Sequence, residues 1–339
     1  MNQQEEYQKK FFKILERRRS HTNKVLYDVM EVLNIKKGAA YKRMNGETAM
    51  TLEEVVKLAD HFDISLDAIF RSEKYISFFH PFVTDEEATI DVYLKLFTKF
   101  IDPLKGNDKE EEKELTYLAN ELPIFYYFSH KHIFNFLMNV WNHMHWDDKS
   151  LEIGDSKEYE EQANMFRGEI QKNYYGHKVT EIWNSNMLNN LYQQIIFCIT
   201  IRGFKEAVFV ERLIHDISKL INDLRAVSIS GIKSIAGADV EGSELKIYLN
   251  DFGNYANIVQ YKSKYIRSTF IGYDYPQFIL SHNKEFYEFS EEWINKLKRR
   301  SVLISSEGYQ YRELFFIKME NDFKHFKERV EKLLGIYYS

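Results

Sequence analysis

The stretch that decides the fold of the N-terminal part is DVMEVLNIKKGAAYKRMNG, residues 28–46. Together with the preceding Leu26, its first half places apolar side chains at the 3.6-residue period of a helix, at Val29, Met30 and Leu33. Asn34 follows, and asparagine tolerates the left-handed backbone conformation that a tight turn between two helices needs. The stretch therefore predicts a short helix, a turn anchored to the core by Ile35, and a second helix.

The second helix, from Lys36 to Met44, is short and mostly polar. Only Ala40 and Met44, four residues apart, are expected to face inward. Helices of fewer than roughly 12 residues are marginal in water without tertiary support. We therefore expect this helix to be held by its neighbours and to be exposed for a functional reason.

The supporting segments follow directly in the sequence. Asn45 and Gly46 end the helix, and Thr51 with Glu54 forms a capping box for the next one. That next helix carries an apolar set expected to face the core, made of Leu52, Val55, Val56, Leu58, Ala59 and Phe62. A further cap at Ser65 predicts a last short helix that contains Leu66, Ile69 and Phe70.

Residues 28–46, 51–59 and 64–70 together resemble the helix-turn-helix domain of lambda-repressor-like regulators of the Cro or XRE type. The match spans residues 21–70 and implies a five-helix DNA-binding domain. Two positions depart from the family pattern. Asn34 stands where the turn usually has glycine, and Lys36 replaces the usual Ser or Thr cap of the recognition helix, which weakens that cap.

In this family the recognition helix enters the major groove with its N-terminal residues toward the base edges. The resemblance carries these positions onto Lys37, Gly38, Tyr41 and Lys42. The two lysines would donate to guanine O6 or N7, and Tyr41 would pack on a thymine methyl group or reach a phosphate. Gly38 would permit close approach of the backbone.

The resemblance implies a second set of residues that contact backbone phosphates, namely Lys36, Arg43, Asn45 and Thr48. No acidic residue lies between Val32 and Gly46, so the segment is locally cationic. Residues 1–75 carry 14 Lys and Arg against 12 Asp and Glu, although the whole chain has a formal net charge of -5. The cationic segment favours DNA binding over the alternative that this helical domain serves protein contacts.

The composition suits a multidomain protein with long helices. The chain has 339 residues with only 4 Pro and 14 Gly, which predicts two or three domains at roughly 150 residues each. The single cysteine, Cys198, lies in an apolar stretch and is interpreted as a core residue of a protein from a reducing compartment. With no membrane-length apolar run and no signal-peptide pattern, we expect a soluble, cytoplasmic protein without a membrane partner.

The rest of the chain predicts a mainly α protein. Residues 85–137, 156–175, 180–200 and 205–227 have helical patterns, which favour a central helical bundle in a sensor or dimerisation domain over residues 76–230. Alternating residues from Leu245 to His282, followed by helices at 285–298 and 312–334, predict a small α+β domain with an antiparallel sheet over residues 231–339. The helix-turn-helix domain occupies residues 1–75.

The sequence gives no catalytic or metal-binding pattern, so we expect neither an enzyme nor a cofactor. His130, His132, His143 and His145 are paired at a spacing of two residues, which points them to opposite sides of a helix, unlike zinc ligands. The His282–Lys284 pattern of phospholipase-D-like enzymes lacks its aspartate, because that position holds Phe289.

These observations favour a sequence-specific transcriptional regulator that binds double-stranded DNA as a homodimer. Its C-terminal region would respond to a small-molecule or peptide ligand, enclosed by aromatic residues that are equally interpretable as core: Phe125, Tyr126, Tyr127, Trp141 and Trp146. Two alternatives remain open. One is a protein-interaction module that its first domain anchors to DNA, and the other is a DNA-directed nuclease.

Overall fold

The fold is described from a computed structural model of the chain. It describes residues 3–19, 22–62, 113–145, 151–157, 177–233, 242–253, 255–263, 266–274 and 277–338. Short pieces and single residues are described at 64, 66, 76, 78–79, 159–161, 164–165 and 174.

The N-terminal part contains the predicted short helix, turn and second helix. Its four helices are α1 (Gln3–Arg19), α2 (Thr22–Leu33), α3 (Lys37–Met44) and α4 (Leu52–His61). They enclose a small core of their own, built from Phe11, Phe12, Leu15, Val25, Leu26, Val29, Ala40, Leu58, Ala59, Phe62 and Ile64. Asn34 has a φ of 50°, so the predicted left-handed turn between α2 and α3 is present.

Part of the predicted apolar face of α4 points away from this core. Leu58, Ala59 and Phe62 are buried, but Leu52 is 76% exposed and Val56 is 48% exposed. Periodicity alone does not limit how wide a buried stripe is, and this helix of 10 residues buries Leu58 and Ala59 and packs Val55 against the core. Of the predicted fifth helix, residues 67–70 lie outside the described residues.

The C-terminal part is built on one seven-stranded mixed sheet. Its strands are β1 (Glu114–Ala119), β2 (Lys178–Trp183), β3 (Leu245–Leu249), β4 (Asn257–Lys262), β5 (Arg267–Asp274), β6 (Gln277–Ser281) and β7 (Val302–Leu303), in the order β6-β5-β4-β1-β2-β3-β7. Strands β1, β2 and β3 are parallel, whereas β4, β5, β6 and β7 pair antiparallel to their neighbours. The carboxyl ends of the three central strands therefore meet at one edge.

Helices cover both faces of the sheet. A 3₁₀ segment (Ile124–Ser129) and α5 (Lys131–His145) follow β1, α6 (Asn189–Thr200) and α7 (Ala207–Ser230) follow β2, and α8 (Lys284–Arg299) and α9 (Tyr309–Tyr337) lie near the C-terminus. The large core lies between one face and α5, α6, α7 and α9. On the other face, Leu118 and Ile182 pack with Ile294 of α8. None of the described helices is long and apolar enough to cross a membrane.

The predicted fold class, mainly α with a small antiparallel sheet, is wrong. Strands β1 and β2 come from the segment predicted as a helical bundle, and they pair with β3 and β4 from the C-terminal segment. The boundary predicted between residues 230 and 231 thus falls between strands of one sheet. Strands β4, β5 and β6 pair antiparallel, but β3, predicted for the same antiparallel sheet, runs parallel to β2. The helices predicted at 205–227, 285–298 and 312–334 correspond to α7, α8 and α9.

The missed strands have a physical explanation. In β1 and β2 the last three residues are all buried, because both faces of these central strands are covered. Such strands lack the clean alternation of a half-exposed strand and cannot be distinguished from buried helix by periodicity. Cys198 is buried in α6, as predicted, and burial raises the pKa of its thiol to about 12.

Candidate nucleic-acid interface

The predicted recognition helix α3 is held on one side and open on the other. Ala40 is fully buried and Met44 packs against the N-terminal core, as the four-residue spacing predicted. Lys36, Lys37, Tyr41, Lys42 and Asn45 are exposed, as is Gly38. Six of the eight predicted DNA-contacting residues are thus exposed.

Arg43 has a different role from the predicted phosphate contact. Its guanidinium donates from Nε and Nη2 to Oε1 of Glu54, at 3.0 and 2.7 Å, and both side chains are only 18% exposed. Glu54 also accepts from the backbone N–H of Thr51 through Oε2, at 3.0 Å, which completes the predicted capping box of α4. The Arg43–Glu54 pair therefore joins the recognition helix to the start of α4.

Thr48 is half-buried rather than presented to solvent. Its backbone N–H donates to the carbonyl of Lys42 at 3.1 Å, and its own carbonyl accepts from Nε2 of Gln8 at 2.8 Å. Among the predicted phosphate contacts, Lys36 and Asn45 are the exposed ones. Thr48 belongs to the loop that closes the C-terminal end of α3.

Gln8 on α1 is the residue that sequence reasoning missed. Its side chain is buried, donates to the carbonyls of Arg43 (2.7 Å) and Thr48, and accepts from the N–H of Met50 (3.2 Å). It thus satisfies three backbone groups around the end of the recognition helix. A signal was present, because Gln8 stands three and seven residues before Phe11 and Leu15, on the buried side of α1.

The weak cap predicted at the start of α3 is confirmed. Lys36 occupies the N-cap position in extended conformation and makes no side-chain hydrogen bond to the first turn. The first turn also holds no acidic residue. The exposed N–H groups and the positive end of the helix dipole therefore remain available to an anion such as a phosphate.

A substitution at Gly38 is expected to have opposite effects on the stability of α3 and on its affinity for DNA. A Cβ built on Gly38 meets no atom within 4 Å. Gly38→Ala is expected to slow hydrogen exchange across α3, because alanine stabilises a helix by up to about 1 kcal/mol relative to glycine. The same methyl group lies on the exposed surface, so DNA affinity is expected to fall. Faster exchange in the variant would contradict the first expectation, and unchanged affinity the second.

Glu54→Gln tests the Arg43–Glu54 pair, because glutamine keeps the capping box but removes the charge. The hydrogen bond from Arg43 is the main cause that holds the pKa of Glu54 below its ordinary value of 4.5. A carboxyl group whose pKa is lowered by folding stabilises the folded state at pH values above its ordinary pKa of 4.5. This stabilisation is lost as the pH falls through the lowered pKa. We expect a loss of about 1 kcal/mol at pH 7, and this loss should fade as the pH falls below 4.5 and through the lowered pKa.

The measurement is hydrogen exchange by mass spectrometry on the full chain, read over residues 37–61, because all four tryptophans lie outside this part. The control is Glu53→Gln, which removes an exposed carboxylate paired with Lys57 on the same helix. Equal effects of the two substitutions, or a Glu54→Gln effect that persists at low pH, would show that the pair does not hold α3.

Two of the four histidines that the sequence did not predict as metal ligands, His130 and His132, contact aspartate side chains. The carboxylate Oδ2 of Asp216 accepts from the backbone N–H of His132 at 2.8 Å and contacts its Nδ1 at 2.9 Å, so Asp216 caps the start of α5. Nε2 of His130 lies 3.4 Å from Oδ2 of Asp223. Within the described residues no group of three or more His, Cys, Asp or Glu side chains could hold a metal ion.

Comparison of the chain with protein-family models, with curated proteins and with solved structures gives no significant match. The interface is therefore characterised by its own geometry: a short helix fixed by Ala40, Gln8 and the Arg43–Glu54 pair, with a neutral and cationic surface facing outward.

Proposed function

We propose that this protein is a sequence-specific DNA-binding transcriptional regulator that reads double-stranded DNA through α3. The observation that carries the proposal is the contrast between the two sides of this helix. Ala40 is buried and the C-terminal end of the helix is fixed by contacts from α1 and α4, whereas Lys36, Lys37 and Lys42 are exposed and the helix holds no acidic residue. Such rigid presentation is what base recognition in the major groove requires.

Homodimerisation belongs to the same proposal. A helix of 8 residues presents only three or four side chains to base edges, which is too little contact for specific affinity from one copy. A dimer would place two recognition helices on half-sites whose centres lie one helical turn, about 10 base pairs, or a multiple of it apart. The ligand-responsive role belongs to the C-terminal part.

The test is selection of sheared genomic fragments by the purified full chain. We expect discrete enriched sites that contain an inverted repeat with the half-site spacing given above. The variant Lys37→Ala/Tyr41→Ala/Lys42→Ala is expected to lose this enrichment, because it removes the exposed side chains that are predicted to contact the bases. Absence of enrichment at low salt, or enrichment that survives in the variant, would reject DNA reading by α3.

An alternative is a protein-interaction module, and one observation favours it. Helix α9 exposes Tyr311, Leu314 and Ile317, which are 52, 58 and 50% exposed. Exposed apolar side chains on one helix are typical of surfaces that contact another protein. Under this alternative the first domain only anchors the chain to DNA, and a protein that copurifies with residues 76–339 would favour it.

A further inference from the structure

A cavity of about 710 Å³ opens at the edge of the sheet where β1 ends. It is bounded by the C-terminal half of α5, by α6, by the start of β4 and by the end of β5. In α/β sheets, ligands bind outside the carboxyl ends of parallel strands, and pockets for small molecules range from about 300 to 1,000 Å³. Both the position and the size of the cavity fit a small-molecule site.

The deep part of the cavity is apolar and aromatic. Leu122, Leu137 and Met187 are buried residues of its wall, and Tyr127 and Trp141 add aromatic rings. Two of the aromatic residues suggested by the sequence thus line the cavity. Phe125 and Tyr126 lie in the core without lining it, and Trp146 lies outside the described residues.

The described lining also contains polar side chains. Amide side chains are contributed by Asn120, Asn190, Gln194 and Asn257, and a carboxylate by Glu121. Among the described residues that line the cavity there are two histidines but no lysine or arginine.

Glu121 is held in place at this rim by the neighbouring amides. Its backbone N–H donates to Oδ1 of Asn257 at 3.0 Å, and the N–H of Asn120 donates to the same oxygen at 2.9 Å. Its carboxylate accepts from Nδ2 of Asn190 at 3.0 Å. A carboxylate fixed beside an aromatic pocket is an arrangement that suits an ammonium group, since both the charge and the ring faces attract a cation.

We propose that this cavity binds a small amine with an apolar, preferably aromatic, body. The ammonium group would bind Glu121 at the rim, and the body would pack among Tyr127, Leu137 and Trp141. This inference concerns the C-terminal part alone and holds whether or not α3 reads DNA. If both proposals hold, the amine is the ligand to which the regulator responds.

The test uses three fluorescent probes that share one aromatic body: dansylcadaverine, which is a primary amine, its N-acetyl derivative, which is neutral, and dansylglycine, which is an anion. Each is titrated into the full-length protein, and binding is followed by the blue shift and gain of dansyl emission. We expect the amine to bind at least about tenfold more tightly than the anion, as one charge-assisted hydrogen bond provides.

Two pairs of variants locate the binding. Glu121→Gln is expected to weaken the amine about tenfold and to leave the neutral probe unchanged, whereas Glu211→Gln, an exposed glutamate of α7, changes neither. Phe197→Ala, at the cavity mouth on α6, is expected to weaken all three probes. Phe289→Ala is its control, since both rings are exposed helical phenylalanines, at 62 and 73%, and Phe289 lies outside the cavity lining.

Three results would overturn the proposal. The first is absence of binding of any probe at millimolar concentration, and the second is an anion that binds as tightly as the amine. The third is amine binding that Glu121→Gln and Phe197→Ala leave unchanged, which would indicate adsorption elsewhere on the surface. None of these results depends on DNA, so each is distinguishable from a failure of DNA recognition.

Discussion

Glu181→Leu is expected to destabilise the C-terminal part by about 4 kcal/mol or more, because three buried hydrogen-bond donors would lose the carboxylate that accepts from all of them. Each buried donor left without an acceptor costs about 1–3 kcal/mol. Glu181 lies in the middle of β2 and is fully buried. Its carboxylate accepts from Nε1 of Trp183 at 2.6 Å, from the hydroxyl of Tyr126 at 3.1 and 3.2 Å, and from the hydroxyl of Tyr174.

A buried lysine is coupled to this carboxylate. Nζ of Lys233 donates to the carbonyl of Tyr174 at 2.6 Å and lies 4.0 Å from the centre of the same tyrosine ring. Burial lowers the pKa of Lys233 to about 7, while the charge of Glu181 opposes that shift. Burial is also the main cause that raises the pKa of Glu181. Replacing Glu181 by leucine would thus also leave Lys233 without its buried counter-charge, which adds to the cost.

The measurement is thermal unfolding of the full chain followed by tryptophan fluorescence, since Trp183 itself contacts the cluster. For a part of this size we expect the Tm to fall by roughly 10 °C. Glu181→Gln keeps one acceptor oxygen and should have a smaller effect. Glu181→Leu/Tyr126→Phe/Tyr174→Phe removes two of the three stranded donors, so it should be more stable than Glu181→Leu alone. A Tm change below about 3 °C for Glu181→Leu, or no recovery in the triple variant, would contradict this account.

The N-terminal part was predictable from sequence because its signals are local. Asn34 in the turn and Thr51 with Glu54 at the cap each act within a few residues of their position, so the pattern specifies the geometry. The role of Arg43 was not predictable in this way. Its pairing with Glu54 spans 11 residues and competes with the phosphate contact that its place on the recognition helix suggests.

The C-terminal part was harder to predict because its strands are specified by long-range pairing. Glu114 of β1 pairs with Lys178 of β2 and with Lys262 of β4, and nothing near Glu114 in the sequence indicates either partner. The acidic residues before it favoured a helix start, whereas the strand is decided by burial on both faces. The cavity was likewise not predictable, since Glu121, Asn190 and Asn257 meet only after the sheet has formed.

The variant Lys37→Ala/Tyr41→Ala/Lys42→Ala is expected to bind its selected operator at least about 100-fold more weakly than the wild type, because removing a side chain that reads a base costs about 1–3 kcal/mol. The two lysines and the tyrosine are exposed, and none of them contributes to the buried contacts that hold α3. The weaker binding should therefore occur without unfolding of the domain, as hydrogen exchange over residues 3–62 of the full chain would show.

Salt dependence separates base reading from phosphate binding within this surface. Lys36→Ala is expected to weaken operator and random DNA by similar factors and to lower the slope of log K against log salt by about one. Lys37→Ala or Lys42→Ala should instead reduce the ratio of operator to random affinity, because a base contact is made only on the correct sequence. Lys57→Ala on α4 removes an exposed lysine outside α3 and serves as the control. If the three single variants at Lys36, Lys37 and Lys42 lower the salt slope alike and leave the ratio intact, while Lys57→Ala changes neither, α3 binds DNA through its charge without reading its sequence.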